Sequence, residues 1–249
     1  MVWGMADPPL GGIYGPYGDE EGTVDNFGNS WRHRLKSYYA DQTPERQKQL
    51  FLHPSNPGLS SHSYPGYVVD KFVGEIGAKI NNSPDSVALT PILEHEPPRF
   101  FATEKGFDAL ASIIGLCNRI CAVDEAMKSI IERLEPSIHQ FFPLEIRMPR
   151  GKIYPVQYFT LVVGNHLDSL VPDKCKEGVL RLDGPDHYLS DGSKKGISGR
   201  AFAKAKFGDA HLWRERHFGA LLTCFSDILQ AEIERAGLLM PKHYKMLEV

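Results

Sequence analysis

The sequence predicts an α+β fold in which helices pack against a mainly antiparallel sheet, preceded by an irregular N-terminal extension. Three observations predict it. From residue 96 onward the apolar residues recur first at the 3.6-residue period of a helix and then at the two-residue period of a strand. The resulting order is helix, helix, paired strands, short strands, helix, strand, which fits one layer of helices on one sheet. Residues 1–95, by contrast, carry many Gly and Pro residues and no sustained period, so they read as an extension and 96–249 as the α+β domain.

In chain order, the first 30 residues read as a loop or extended arm docked through its aromatics. Residues 31–51 are charged and helix-permissive, with Pro44 as an interruption, and the stretch from His53 is loop again. After Pro97-Pro98, Thr103 is placed to cap a helix whose apolar face is Phe107, Leu110, Ala111 and Ile114 and whose terminator is Gly115. A second helix, "DEAMKSIIERLEP", sets Ala126, Met127, Ile130, Ile131 and Leu134 on one stripe. Asp124 and Glu125 lie at its positive end and Pro136 closes it.

The period then changes to two. In "HQFFPLEIRM" Phe142, Leu144, Ile146 and Met148 face one way while Glu145 and Arg147 face the other, and Pro149 to Lys152 turn the chain into "YPVQYFTLVV". Pro143 suggests an edge strand or a strand start. Residues 172–199 are mostly turn chemistry, with a strand candidate at Val179 to Leu182. One or two strands follow in "RAFAKAKFGDAHLWRE". Asp227 and Gln230 then offer a capping box for a helix that Gly237 ends, and "HYKMLEV" is a last short strand.

A chain of 249 residues with 42% hydrophobic and 24% charged content buries roughly 70–75% of its unfolded surface without disulfides. The balance of 28 basic to 31 acidic residues leaves a net charge of −3, with no basic stripe for nucleic acid and no polybasic tail for a membrane surface. No run of 18 apolar residues occurs. The four cysteines form no CxxC pair and nothing ahead of them reads as a signal peptide, so a reduced, cytoplasmic location is expected.

Four stretches could carry chemistry. In Trp213-Arg214-Glu215-Arg216-His217 the two arginines could grip an anion with His217 as acid or base. The bland alternative makes Trp213 a core anchor and the arginines strand-end ion pairs. His166 and Asp168 stand two apart, which on a strand puts both on one face, as metal ligands or a base with its orienting partner would need; a capped turn explains the pair equally. Asp183, Asp186, His187 and Asp191 crowd one loop, but without the alternate oxygens and terminal Glu of a calcium loop. Cys117 and Cys121 would share a helical face, as buried thiols or ligands. No GxSxG, GxxxxGK[ST], GxGxxG or HExxH occurs, and no cofactor or metal is expected.

The succession from "VDEAMKSIIERLEPSIHQFFPLEIRM" through "YFTLVVGNHLDSL" to "HLWRERHFGALLTCFSDILQAEIERAGL" resembles the family-eleven immunity proteins of bacterial polymorphic toxin systems, over about residue 99 to the C-terminus. The resemblance implies a cytoplasmic, non-enzymatic protein that binds the C-terminal toxin domain of a cognate toxin and neutralises it by occlusion, with no catalytic residue to carry over. A homodimer is left open. Such a protein needs a stable core and one complementary surface. Arg214, Arg216, His217, Asp183, Asp186 and His187 are the candidate partner-binding residues, and Trp213, Phe142, Gly115 and Gly237 the structural ones. Two rival readings are an adaptor or chaperone for a secreted effector, and an enzyme using His166/Asp168 or Arg214/Arg216/His217.

Overall fold

The computed structural model describes residues 1–6, 8, 11–21, 31–50, 64–74, 91–183, 187–189, 191–218 and 222–249. Its first part contains β1 (Val2–Ala6), β2 (Gly18–Glu20), α1 (Trp31–Ala40), α2 (Pro44–Leu50) and α3 (Tyr64–Val73). There follow β3 (Phe100–Thr103), β4 (Ile113–Gly115), β5 (Cys121–Asp124), α4 (Glu125–Leu134), β6 (Gln140–Met148), β7 (Lys152–Ile153), β8 (Tyr158–Val162) and β9 (His166–Leu167). The last part holds β10 (Arg181–Leu182), β11 (Tyr188–Leu189), α5 (Lys194–Ser198), β12 (Ala201–Phe202), α6 (Lys204–Phe207), β13 (Leu212–Glu215), β14 (Leu222–Ser226), α7 (Asp227–Arg235) and β15 (His243–Glu248).

The fold is α+β, as the alternating periods predict. One six-stranded sheet runs β12-β15-β1-β14-β13-β9, and a seven-stranded sheet runs β2-β3-β6-β8-β5-β4 with β7 paired to β6. Among the described residues the pairings are antiparallel except β12 with β15, β9 with β13, β3 with β6, and an isolated parallel bridge between Tyr188 and Phe218.

The two-residue period of the strands sorts side chains into three cores. Tyr158 and Val162 of β8 face Trp31, Leu35, Tyr64, Val68 and Phe72 of α1 and α3, together with Leu144 and Ile146 of β6. On the opposite face, Leu161 and Val163 join Met127, Ile130 and Ile131 of α4, Leu229 and Ile233 of α7, and Met5, Leu212 and Phe225 of the other sheet. The far face of that other sheet buries Val2, Trp213, Leu222, Cys224 and Met246 with Ile197, Phe202 and Phe207. α4 and α7 are therefore the shared filling between the sheets, and Arg133 of one pairs with Glu232 of the other.

Helix α4 forms where its stripe predicts: Asp124 is the N-cap, accepting from the Met127 amide at 2.8 Å, and Met127, Ile130 and Ile131 are buried. α7 also forms, but its cap is Ser226, one residue earlier than the Asp227/Gln230 box; the Ser226 hydroxyl accepts from the Leu229 amide at 3.1 Å. Asp227 instead accepts from the Trp3 indole at 3.0 Å, tying the helix start to β1. Gly237 ends this helix at φ +64, with its amide bonded to the Glu234 carbonyl and that of Leu238 to the Ile233 carbonyl.

Two expectations need correction, and a third holds only locally. The helix capped by Thr103 and ended by Gly115 is absent: the segment is β3, an irregular crossing and β4. The Thr103 hydroxyl donates to the Lys105 and Arg147 carbonyls rather than capping a helix. Leu110, Ala111 and Ile114 are buried as predicted, but distant partners satisfy the backbone: Leu110 N–H bonds Tyr154 Oη and Ala111 N–H bonds the Ile13 carbonyl. Gly115 lies in β4 against Pro8, where a Cβ would come 3.2 Å from the Pro8 carbonyl oxygen.

Pro143 is not at the start of β6, and although that strand is interior as a whole, at Pro143 it has β8 on one side only, so the edge expectation holds locally. β6 pairs with β8 over Gln140–Leu144, whereas its pairing with β3 begins only at Glu145. The Glu145 amide points to the β3 side, where it bonds the Arg99 carbonyl. Pro143, two residues earlier, turns its missing donor to the same side, beyond the start of β3.

Lastly, the described residues of 1–95 are not an irregular arm. β1 is an interior strand, hydrogen-bonded to β14 on one side and β15 on the other. α1 and α2 flank Pro44, which stands at the first position of α2 where its missing N–H costs nothing. Three charged clusters fasten this part to the body. Buried Glu21 accepts from Arg34 Nη2 at 2.9 Å and Arg99 Nε at 2.7 Å. Buried Glu96 accepts from Lys71 at 2.5 Å, Tyr64 at 2.9 Å and the Leu93 amide at 2.8 Å. Buried Glu20 accepts from Asn118 Nδ2 at 3.1 Å.

Candidate functional site

The stretches His166–Asp168 and Arg214–His217 are far apart in sequence, and the fold lays them side by side. β9 pairs in parallel with β13, matching Arg214 to His166 and Glu215 to Leu167. The Arg214 amide bonds the Asn165 carbonyl and the Arg216 amide the Leu167 carbonyl, each at 2.9 Å. The hairpin β10–β11 leans on the same strand end, because the Tyr188 amide donates to the His217 carbonyl at 2.8 Å. Tyr188 also sets its ring 6.4 Å from the His217 ring and 5.9 Å from that of Phe218.

Pleating decides which of these groups face outward. Trp213 is fully buried and stacks on Phe207 with centroids 5.1 Å apart. Arg214 is also buried; it donates to Thr223 Oγ1 at 2.6 Å and lies 3.8 Å from Cys121 Sγ, so its guanidinium is held inside the sheet. Arg216 and His217 are half-buried. Arg216 Nη1 reaches Asp168 at 3.6 Å, and Asp168 is exposed.

His166 is half-buried under the C-terminal end of α3, where a Cβ on Gly74 would run into its ring. Its Nε2 lies 3.0 Å from the Val163 carbonyl, and burial, helped by Arg214 and Arg216, pulls its pKa down to about 4. It is a neutral packing group at physiological pH.

Of the loop candidates, Asp183 is exposed and its amide bonds the His187 carbonyl at 2.7 Å; His187 is half-buried, and Asp186 lies outside the described residues. Leu182 and Leu189 of β10 and β11 have 64% and 38% of their surface exposed, and the register, which pairs Leu182 with Tyr188 and Leu189 with Arg181, turns them to opposite faces of the pair. Phe142 packs edge-on to Phe72 at 6.1 Å on the far sheet, away from this face. Cys117 and Cys121 do not share a helix: Cys117 lies in a short turn and Cys121 in β5.

Glu215 is the residue that sequence reasoning passed over. It is 1% exposed, and one of its oxygens, Oε2, accepts from the Ser169 amide at 2.9 Å and the Ser169 hydroxyl at 2.6 Å. Burial raises its pKa to about 7 against the opposing pull of the Ser169 hydrogen bonds and His217. The sequence held one signal, since Glu215 shares the two-residue phase of the buried Trp213. Reading it required knowing that the strand is buried on both faces.

The structure thus brings Arg216 to Asp168 and joins the His217 end of β13 to Tyr188 of β11, while Arg214 and Trp213 are buried and His166 is half-buried under α3. No curated protein matches the chain. A family model does, over residues 29–246, described as the immunity protein family Imm11. The match begins well before the resemblance read from the C-terminal motifs, and it takes in the helices α1 and α3 that complete the first core. By that match over most of its length, the chain belongs to the Imm11 immunity protein family.

Proposed function

We propose that this immunity protein neutralises a cognate toxin by binding its C-terminal toxin domain and occluding it, through the face built by the ends of β9 and β13 and the β10–β11 hairpin. The observation that carries the reading is the junction at Tyr188 and His217, which joins two separate candidate stretches into one surface. Beside these charged groups β10 exposes Leu182, on the face that it shares with Tyr188, and an apolar anchor with a polar rim is the combination that protein interfaces use. The β13 end of the surface stands on a strand whose four residues are all buried, so that part of the face is presented rigidly. Toxins that act inside the cell would require the protein in the cytoplasm, and no helix among the described residues is long and apolar enough to cross a membrane.

The test is co-expression with the toxin domain encoded immediately upstream, read by survival and by the affinity of the purified pair. Leu182→Asp and Arg216→Glu should each weaken binding about 30-fold or more, the range of an interface hot spot, without changing the melting temperature. Full affinity and protection in both variants would place the interface elsewhere. A complex that still turns over a small substrate at the rate of free toxin would reject occlusion.

A further inference from the structure

We propose that Asp168, Glu215 and His217 form a binding site for one divalent transition-metal ion. Their ligating atoms, two carboxylate oxygens and one imidazole nitrogen, all lie within 4.8 Å of one another. An ion bound at about 2.0–2.2 Å from each ligand holds tetrahedral ligand atoms about 3.4 Å apart. Closing that gap needs small rotations of exposed Asp168 and half-buried His217, with Glu215 held still by Ser169.

A second observation points to a ligand. Glu215 is nearly without exposed surface, and although Oε2 is bonded to Ser169, its other oxygen, Oε1, is buried and takes no hydrogen bond. Burying a carboxylate oxygen unpaired is costly, and the neighbouring Arg214 guanidinium is turned toward Thr223 and Cys121. A cation shared with Asp168 and His217 would neutralise that oxygen.

The mixed donor set selects the ion. One imidazole with two carboxylates suits zinc(II), cobalt(II) or manganese(II) better than calcium or magnesium, which favour oxygen alone. Three protein ligands leave a coordination position open, and Asp168 and His217 put it toward the surface. Arg216 is the competitor: its 3.6 Å pairing with Asp168 is partly exposed and must loosen when the ion binds.

Cobalt(II) titrated into the full chain, followed by visible absorption and by calorimetry with zinc(II), tests the site. We expect one equivalent to bind saturably, His217→Ala and Asp168→Asn each to weaken it at least tenfold, and Arg216→Ala to bind as tightly or more tightly. Cys117→Ser/Cys175→Ser should keep the binding, which separates this site from the half-buried thiols. Absence of saturable binding, undiminished affinity in both ligand variants, or loss of binding in the thiol variant would each overturn the proposal. Glu215→Gln should abolish the signal, with its circular dichroism spectrum confirming that it is folded; if it does not fold, the two surface variants decide.

Discussion

Replacing Glu135 by alanine should be among the most damaging single changes in the protein. The residue closes α4 at its C-cap, and its carboxylate is an acceptor for four donors from three other segments. Oε1 accepts from Asn165 Nδ2 at 2.8 Å and the His211 amide at 2.9 Å; Oε2 accepts from His139 Nε2 and the Leu212 amide, both at 2.8 Å. His139 is itself held by the Gly164 amide, which donates to Nδ1 at 3.1 Å and so leaves the proton on Nε2.

One carboxylate therefore fastens α4 to the start of β13 and to the turn before β9. Each charge-assisted bond contributes about 1.5–3 kcal/mol, and the terms are not additive. Truncation also strands buried backbone amides at His211 and Leu212. We expect Glu135→Ala to cost about 3–5 kcal/mol, the range for breaking a buried charged network, and Glu135→Gln about 2–3 kcal/mol because one of its two polar atoms is a donor facing donors. Urea unfolding followed by circular dichroism measures this directly. At about 2–4 °C per kcal/mol for a chain of this size, the alanine variant should melt roughly 6–20 °C lower. An alanine variant within about 1 kcal/mol of the wild type, at an unchanged urea slope, would refute the assignment of this cluster as a principal fastening.

The pH dependence gives a second check on the same residue. Burial pushes the Glu135 carboxyl up, but the hydrogen bonds from His139, His211 and Leu212 outweigh it and hold the pKa below the ordinary 4.5. Its contribution is therefore present above pH 4.5 and is lost as pH falls through the lower folded value, so the acid limb of stability should be shallower in Glu135→Gln. Glu20 has the opposite sign: burial, opposed by its backbone and Asn118 hydrogen bonds, raises it to about 7. Its contribution is present below pH 4.5 and is lost as pH rises through about 7. Glu20→Gln should then gain stability relative to wild type across that window, and a flat difference would contradict the burial.

Deleting residues 1–6 removes the strand between β14 and β15 and should abolish cooperative unfolding; a truncated chain with a wild-type melt would show that β1 is dispensable. Gly74→Ala should cost about 2 kcal/mol or more, since φ +72 disfavours any side chain and the new Cβ falls on the His166 ring. A neutral result, read by thermal melt, would mean that α3 can shift off β9.

Legibility followed the range of the forces involved. α4 was readable because its cap, stripe and terminator lie within 13 residues and act on the helix itself. β6 and β8 were readable because Leu144 and Ile146 alternate with Glu145 and Arg147, and a turn joins the two strands nearby. The false helix from Thr103 to Gly115 shows the limit: Leu110, Ala111 and Ile114 have helical spacing, but their backbone donors go to Tyr154 and Ile13, partners that no local pattern reveals. The N-terminal segment failed for the same reason, since Gly4 carries no side chain to signal a strand and is required where a Cβ would come 2.6 Å from Met246 Sδ.

The sequence by itself determined the α+β class, the family, the two helices α4 and α7 and the burial of Trp213, because these depend on periodicity and on apolar bulk, which are local properties of the chain. Only the tertiary structure decided which charged groups face outward. Arg214 and Arg216 are the same residue type two positions apart, yet one is bonded inside the sheet and the other reaches Asp168 at the surface. What separates them is the parallel pairing of β13 with β9 and the end of the strand after Glu215, long-range contacts that also bring Asp168 and Ser169 to the Glu215 carboxylate.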